Sequence, residues 1–321
     1  VQVDSPSSGI ASPQGRGVGL RRVGWALLAV VVVLLLYYVG GALYLQKLDD
    51  DAQFASATEV PEGASHAVAG AADLVDREVN QNRWIANDPW FQPGWVLDNM
   101  PSFQTGVVYA VSRFAVELTD QLARVRGASQ VDPDADAAAG RLKYPGDIWF
   151  LEWSSTPVQP SSESQYRRAI EDLRRFNQRL ANGEATFERR ADNLIATLDR
   201  IAADTGSSSA ALYEKIDATR NRWFDLTADD LFYNNKGRLY GYFVLLRSLG
   251  QDFEQVLRDR NAQRNWDELL ATFEAAAVLH PWIVINGGLD SIVRPNHLAA
   301  QGFLLLRARF QLYELINILT K

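Results

Sequence analysis

Residues 23–45 read VGWALLAVVVVLLLYYVGGALYL and contain no charged side chain. At a rise of about 1.5 Å per residue the run reaches about 34 Å, enough for a hydrocarbon core of about 30 Å. A helix packed on one side of a globular core keeps a polar face, and this run has none. Trp25 and Tyr44 stand near its two ends, where amphipathic rings favour the membrane–water boundary. The segment is therefore expected to be a transmembrane helix. Its length exceeds the roughly 7–15 apolar residues of a signal-peptide core, and no A-x-A cleavage pattern follows, so an uncleaved signal-anchor is expected.

The flanks set the orientation. Arg16, Arg21 and Arg22 precede the span, and Lys47 is the nearest base after it. Asp49, Asp50 and Asp51 follow, but acidic residues count little in the positive-inside rule. The N-terminus is expected in the cytoplasm and everything after the span on the opposite side. Residues 1–22 are rich in Gly, Ser and Pro. They cannot bury enough surface to offset chain entropy and are expected to form a disordered cytoplasmic tail. The first 46 residues carry +2, which leaves −9 of the total −7 on the remainder. An acidic surface is repelled by anionic head groups. Residues 46–64 are thus expected to be a tether, holding residues 65–321 off the membrane as one all-α domain.

Composition excludes several chemistries. The chain has no cysteine, hence no disulfide, thiolate metal site or cysteine nucleophile. His66, His280 and His297 are its only histidines and are far apart, so no metal is expected. No phosphate-binding G-x-x-x-x-G-K-[ST] loop, dinucleotide G-x-G-x-x-G turn or G-x-S-x-G elbow is present. No cofactor and no nucleotide are expected, and the acidic balance argues against nucleic acid.

Helical periodicity runs through the rest. Helices are expected at 65–83, 102–126, 133–142 with Asp132 as cap, 161–203, 229–260, 265–279 and 296–319. In 161–203, Leu173, Leu180, Phe187, Leu194 and Ile201 recur every seven residues, beside Ile170, Asn177, Glu184, Ala191 and Leu198. Asn182-Gly183 is a possible interruption, and 205–209 reads as a break. Leu239, Leu246 and Phe253 repeat the spacing, as do Leu298, Leu305, Leu312 and Leu319. This predicts a helical bundle with long heptad-patterned, coiled-coil-like helices, paired as an antiparallel hairpin or between chains.

Four longer strings are distinctive: NDPWFQPGWVLDNMPSFQTG at 87–106, FERRADNLIATLDRIAADTGSSS at 187–209, DDLFYNNKGRLYGY at 229–242 and RPNHLAAQGF at 294–303. Together they resemble a family of bacterial membrane proteins catalogued as domain of unknown function 2333. The resemblance covers the anchor and nearly all of the following domain. It implies a single-pass inner-membrane protein of the bacterial cell envelope with a periplasmic domain. It implies no activity and no catalytic residues.

Three constellations could carry function. Loop 84–103 sets Trp84, Trp90, Phe91, Trp95 and Phe103 beside Asn87, Asp88, Asp98 and Asn99. Aromatic faces beside carboxylates suit a sugar, and two carboxylates can serve as acid and base. Turn and capping chemistry explains the same residue types. Asp230, Asn234 and Arg238 fall at i, i+4 and i+8 of one helix, where Gly237 and Gly241 allow close approach by a helix or ligand. Asn296 and His297 open the last helix, where a capping role competes with proton transfer. The leading expectation is non-enzymatic: an envelope scaffold or interaction module, binding a protein partner or itself. The alternative is a protein that binds or hydrolyses an envelope glycan or lipid-linked sugar through loop 84–103.

Overall fold

A computed structural model describes residues 16–56, 59–123, 131–150, 158–219, 226–281, 284–287 and 295–321. Among these residues there is no strand, and the extended backbone pairs at one isolated bridge, Asn286 with Asn296. Ten α-helices follow one another: α1 (Arg16–Leu45), α2 (His66–Asp76), α3 (Asn99–Glu117), α4 (Pro133–Leu142), α5 (Ser162–Ala181), α6 (Ala191–Thr219), α7 (Leu226–Asp252), α8 (Glu254–Asp259), α9 (Gln263–Ala277) and α10 (His297–Thr320). The chain is all-α, as the periodicity predicts.

The 25-residue segment Arg21–Leu45 of α1 is long and apolar enough to cross a membrane. The helix begins earlier than expected, at Arg16. An established helix gains one hydrogen bond per added residue, so it runs on into the Gly-rich flank. Residues 1–15, the rest of the expected tail, lie outside the described residues.

The bundle is built on the crossing of α3 and α7. A Cβ on Gly106 would sit 2.1 Å from the Asn234 carbonyl oxygen, and one on Gly237 would sit 2.1 Å from that of Phe103. The two backbones touch because neither helix has a side chain between them there. Phe103, Val107, Val111 and Phe114 of α3 and Leu239, Leu246 and Leu249 of α7 are buried around this contact. The second and third layers come from α2 and α9 on α7, α4 on α5, and α10 on α6 and α9.

The heptads locate buried faces and misplace connections. Leu173, Leu180, Phe187, Leu194 and Ile201 are all buried, yet the expected 161–203 helix is two helices. α5 stops at Asn182, Gly183 takes φ +73°, and α6 begins at Ala191. Only glycine adopts that backbone freely. Conversely, α6 runs through the expected break at 205–209, where the Thr205 hydroxyl bonds back to the Ile201 carbonyl at 2.7 Å. Phe253 separates α7 from α8. No hairpin joins the two heptad segments: α5 packs on α4 and α2, α6 on α10, and α7 on α3. Among the described residues α6 touches α7 only in part, and a coiled-coil pairing of the heptad segments is not shown. Asn177, on the expected seam, instead brackets Ser65, accepting from its N–H at 2.8 Å and donating to its carbonyl at 3.1 Å.

Two expectations hold to the residue. Asp132 caps α4, accepting from Asp134 N and Ala135 N. Leu298, Leu305, Leu312 and Leu319 form the buried face of α10.

The stretch after α1 is not a free tether through Ser56. Asp49 pairs with Arg77 at 3.2 Å, and Asp50 pairs with Lys236 at 2.7 Å and with His280 Nε2 at 2.9 Å. The Tyr240 hydroxyl donates to the Asp51 carbonyl at 2.9 Å, and Arg247 donates to that of Ala52 at 2.7 Å. Phe54 lies 4.6 Å beneath the Arg77 guanidinium. Net charge misleads here because Asp49 and Asp50 are held by cations of the bundle.

Replacing Gly237 with Ala should force the α3–α7 crossing apart and cost about 1–3 kcal/mol. Thermal unfolding of the full-length protein in detergent checks this, and an unchanged midpoint would contradict the crossing.

Candidate functional site

Loop 84–103 is positioned from beneath. Trp84 is buried, its ring edge-on to Tyr166 at 5.0 Å, and its indole N–H donates to the Gly146 carbonyl at 2.8 Å. Asn87 donates to the Ile148 carbonyl at 2.8 Å and to Glu163 at 2.6 Å. Gln104 accepts from the Ile85 N–H and donates to the Arg83 and Glu78 carbonyls. Phe103 belongs to the core. These contacts support Pro93–Val96, a single 3₁₀ turn in which Gly94 is buried and Trp95 and Val96 are exposed.

That turn rests on α1. Pro93 fills the gap over Gly41, whose Cβ, if present, would lie 2.4 Å from that of Pro93. The Tyr38 hydroxyl donates to the Trp90 carbonyl at 2.8 Å, and the Tyr37 hydroxyl donates to the Phe91 carbonyl at 3.1 Å. Leu45, Ile85 and Met100 close a small buried cluster beneath. Trp90 and Trp95 nevertheless remain 70% and 60% exposed, and Phe91 and Val96 are exposed beside them. Phe91 continues edge-on to Trp149 at 5.5 Å, and Trp149 packs on the exposed Phe150 at 4.3 Å.

The two carboxylates of the loop do not join these rings. Asp88 is buried under Gly94 and paired with Arg83 at 3.1 Å. Burial raises its pKa, and Arg83 opposes the shift. Asp98 caps α3, accepting from the Asn99 N–H at 2.8 Å. Clefts of about 250 and 390 Å³ open elsewhere and one of about 270 Å³ opens beside Pro93, and none of the three is lined by Trp90, Trp95, Asp88 or Asp98.

The second group of residues holds helices together. Asp230 accepts from the Ser102 hydroxyl at 3.5 Å, and Asn234 donates to the Ser102 carbonyl and the Thr105 hydroxyl. Arg238 stacks on Tyr109 at 4.0 Å and donates to Ser208. The close approach that Gly237 and Gly241 permit is that of α3. Asn296 caps α10, accepting from Ala299 N at 2.7 Å. His297 Nδ1 accepts the Ile285 N–H at 3.0 Å, which requires that nitrogen to be unprotonated, and burial lowers its pKa accordingly.

The model of the family described as uncharacterized protein conserved in bacteria (DUF2333) matches residues 21–222 and 217–321. The chain belongs to this family. No curated protein and no solved structure is detectably similar to it. The family match runs from the apolar segment of α1 through α10 to Lys321, so α1 and the bundle are matched together.

Two features escaped the sequence reading of this family member. One is the polar network under the linker: Arg77 is held by Glu78, Tyr240 and Asp49, and Lys236 by Asp50 and the Leu279 carbonyl. The other is the outer face of α10, where Phe303, Leu306, Phe310 and Tyr313 are exposed. Their 3-4-3 spacing was visible as a second apolar stripe, opposite the leucine one. Among the described residues, no group of three or more His, Cys, Asp or Glu side chains could hold a metal.

Asp229 is the titratable group most clearly tuned for neutral pH. Burial, then the neighbouring Asp98 and Asp230, raise its pKa to about 6. A carboxyl with a raised folded pKa stabilises the fold below its unfolded pKa of about 3.9, and this contribution disappears as pH rises through about 6. Discounted for solvent screening, the effect is about 1 kcal/mol. Unfolding measured at pH 5 and at pH 7.5 should show greater stability at the lower value, and Asp229→Asn should reduce the difference.

Proposed function

We propose that the chain is a single-pass inner-membrane protein, N-terminus in the cytoplasm, whose periplasmic helical domain is a cell-envelope scaffold or interaction module. The anchor reading is supported by the uncharged segment in α1 and by three arginines on its N-terminal side. The interaction reading is carried by α10. α10 presents leucines inward and Phe303, Leu306, Phe310 and Tyr313 outward, among the exposed Arg307 and Glu314, and large apolar side chains gathered on an outer face mark a contact surface. The outward stripe has the a/d spacing by which one helix packs on another. Its proposed occupant is an apolar helix of an envelope protein, a second copy of the chain being one form of that partner.

The alternative, a glycan or lipid-linked-sugar site in loop 84–103, draws no support from the geometry. It needs Trp90 or Trp95 to share a cleft with Asp88 or Asp98, and these carboxylates are committed to Arg83 and to the α3 cap.

A photo-crosslinking residue at Phe310, in full-length protein in its native membranes, tests the interaction reading. A discrete protein adduct is expected at Phe310 and Phe303 and not at the exposed Arg264 of α9. Its absence from both α10 positions would remove the basis for a scaffold.

A further inference from the structure

We infer that the loop around Pro93–Val96 is a lipid-docking element, seated in the leaflet on the domain side of the bilayer that α1 spans. The inference rests on the anchor reading above and is independent of the partner proposed for α10. The occupant is phospholipid, and three observations point to it.

The first is depth. Trp90 and Phe91 hang from Tyr38 and Tyr37, and Pro93 sits on Gly41. Tyr38 precedes the end of α1 at Leu45 by seven residues, which is about 10 Å along a helix axis. Interfacial elements bury their apolar side about 5–10 Å into the boundary of head groups and acyl chains. A bilayer that covers the uncharged segment of α1 therefore reaches the loop as well.

The second is side-chain chemistry. Trp90, Trp95, Phe91 and Val96 are exposed although their backbone is well anchored. Leaving several large apolar groups in water next to a membrane-spanning helix is unfavourable, and placing them in the interface removes that cost. Phe150, joined through Trp149, extends the same apolar surface.

The third is charge. A cleft of about 270 Å³ opens beside the last turn of α1, lined by Tyr44, Lys47, Asn82 and Arg83 with Gly41 and Pro93. Asn82 Nδ2 is buried there without a hydrogen-bond partner. Lys47 and the unused Asn82 donor, beside an Arg83 that also pairs with Asp88, suit the phosphate of a head group. The nearby acids are each paired: Asp49 with Arg77, Asp50 with Lys236 and Asp88 with Arg83.

The absence of native cysteine makes the test direct. Single variants Trp90→Cys, Trp95→Cys, Leu36→Cys and Arg264→Cys of the full-length protein carry a fluorophore and are reconstituted into phosphatidylcholine vesicles. Quenching by iodide in the water is compared with quenching by lipids bearing a nitroxide just below the head group. Labels at 90 and 95 should lose most iodide quenching and gain lipid quenching, like Leu36 in the anchor, while Arg264 stays iodide-accessible. Iodide access at 90 and 95 with Leu36 protected overturns the loop's seat and leaves the anchor standing. Iodide access at Leu36 overturns both. A Trp90→Phe, Trp95→Phe double variant, which keeps the apolar surface, should keep the depth profile of a label placed at Phe91.

Discussion

The ion pair between Lys236 and Asp50 ties the anchor to the bundle. The Lys236 side chain is fully buried in α7, the helix at the centre of the fold. An ammonium taken out of water is costly unless paired and hydrogen-bonded. Its partners are Asp50 at 2.7 Å and the Leu279 carbonyl at 2.6 Å. Burial lowers the lysine pKa, and Asp50 pulls it back up. The carboxylate that satisfies the central helix thus comes from the residues that follow α1 directly. The bundle cannot keep Lys236 in place and release the linker.

Much follows from that constraint. Asp49 on Arg77 and the Ala52 carbonyl on Arg247 extend the grip. With the linker fixed, α1 leaves the bundle in one direction, and loop 84–103 lies along it. The aromatic residues that suggested a sugar cleft become a surface shared between anchor and domain. Trp84 and Phe103 hold that surface from inside, and Trp90 and Trp95 form its exposed part. The outward face of α10 is a separate surface, defined by its own periodicity.

How much was legible in the sequence depended on whether the signal was local. The apolar run of α1, the Asp132 cap and the leucine face of α10 are set by neighbouring residues and were readable. Heptad spacing marked the buried apolar residues, because burial follows period, but its second seam also took in Glu184, which is exposed. It could not say that Gly183 turns the chain or that Thr205 does not, since both outcomes depend on what packs beyond the helix. The polar groups were harder still. Asp49 and Asp50 read as a solvated linker, because their partners lie far away in the chain, at 77 and 236. Of the candidate site residues, Asp230, Asn234, Arg238, Asn296 and His297 all bond within the fold. Only distant contacts distinguish such a polar residue from one that faces a ligand.

The most direct measurement is a spin-label distance across the joint between anchor and bundle. One label replaces the exposed Leu43 of α1 and the other the exposed Arg264 of α9, in full-length protein in lipid nanodiscs. A linker held by Lys236 and Arg77 gives one narrow distance distribution, which broadens in an Asp50→Ala variant whose bundle remains folded. A broad distribution in the unaltered protein would show a free tether and contradict the account.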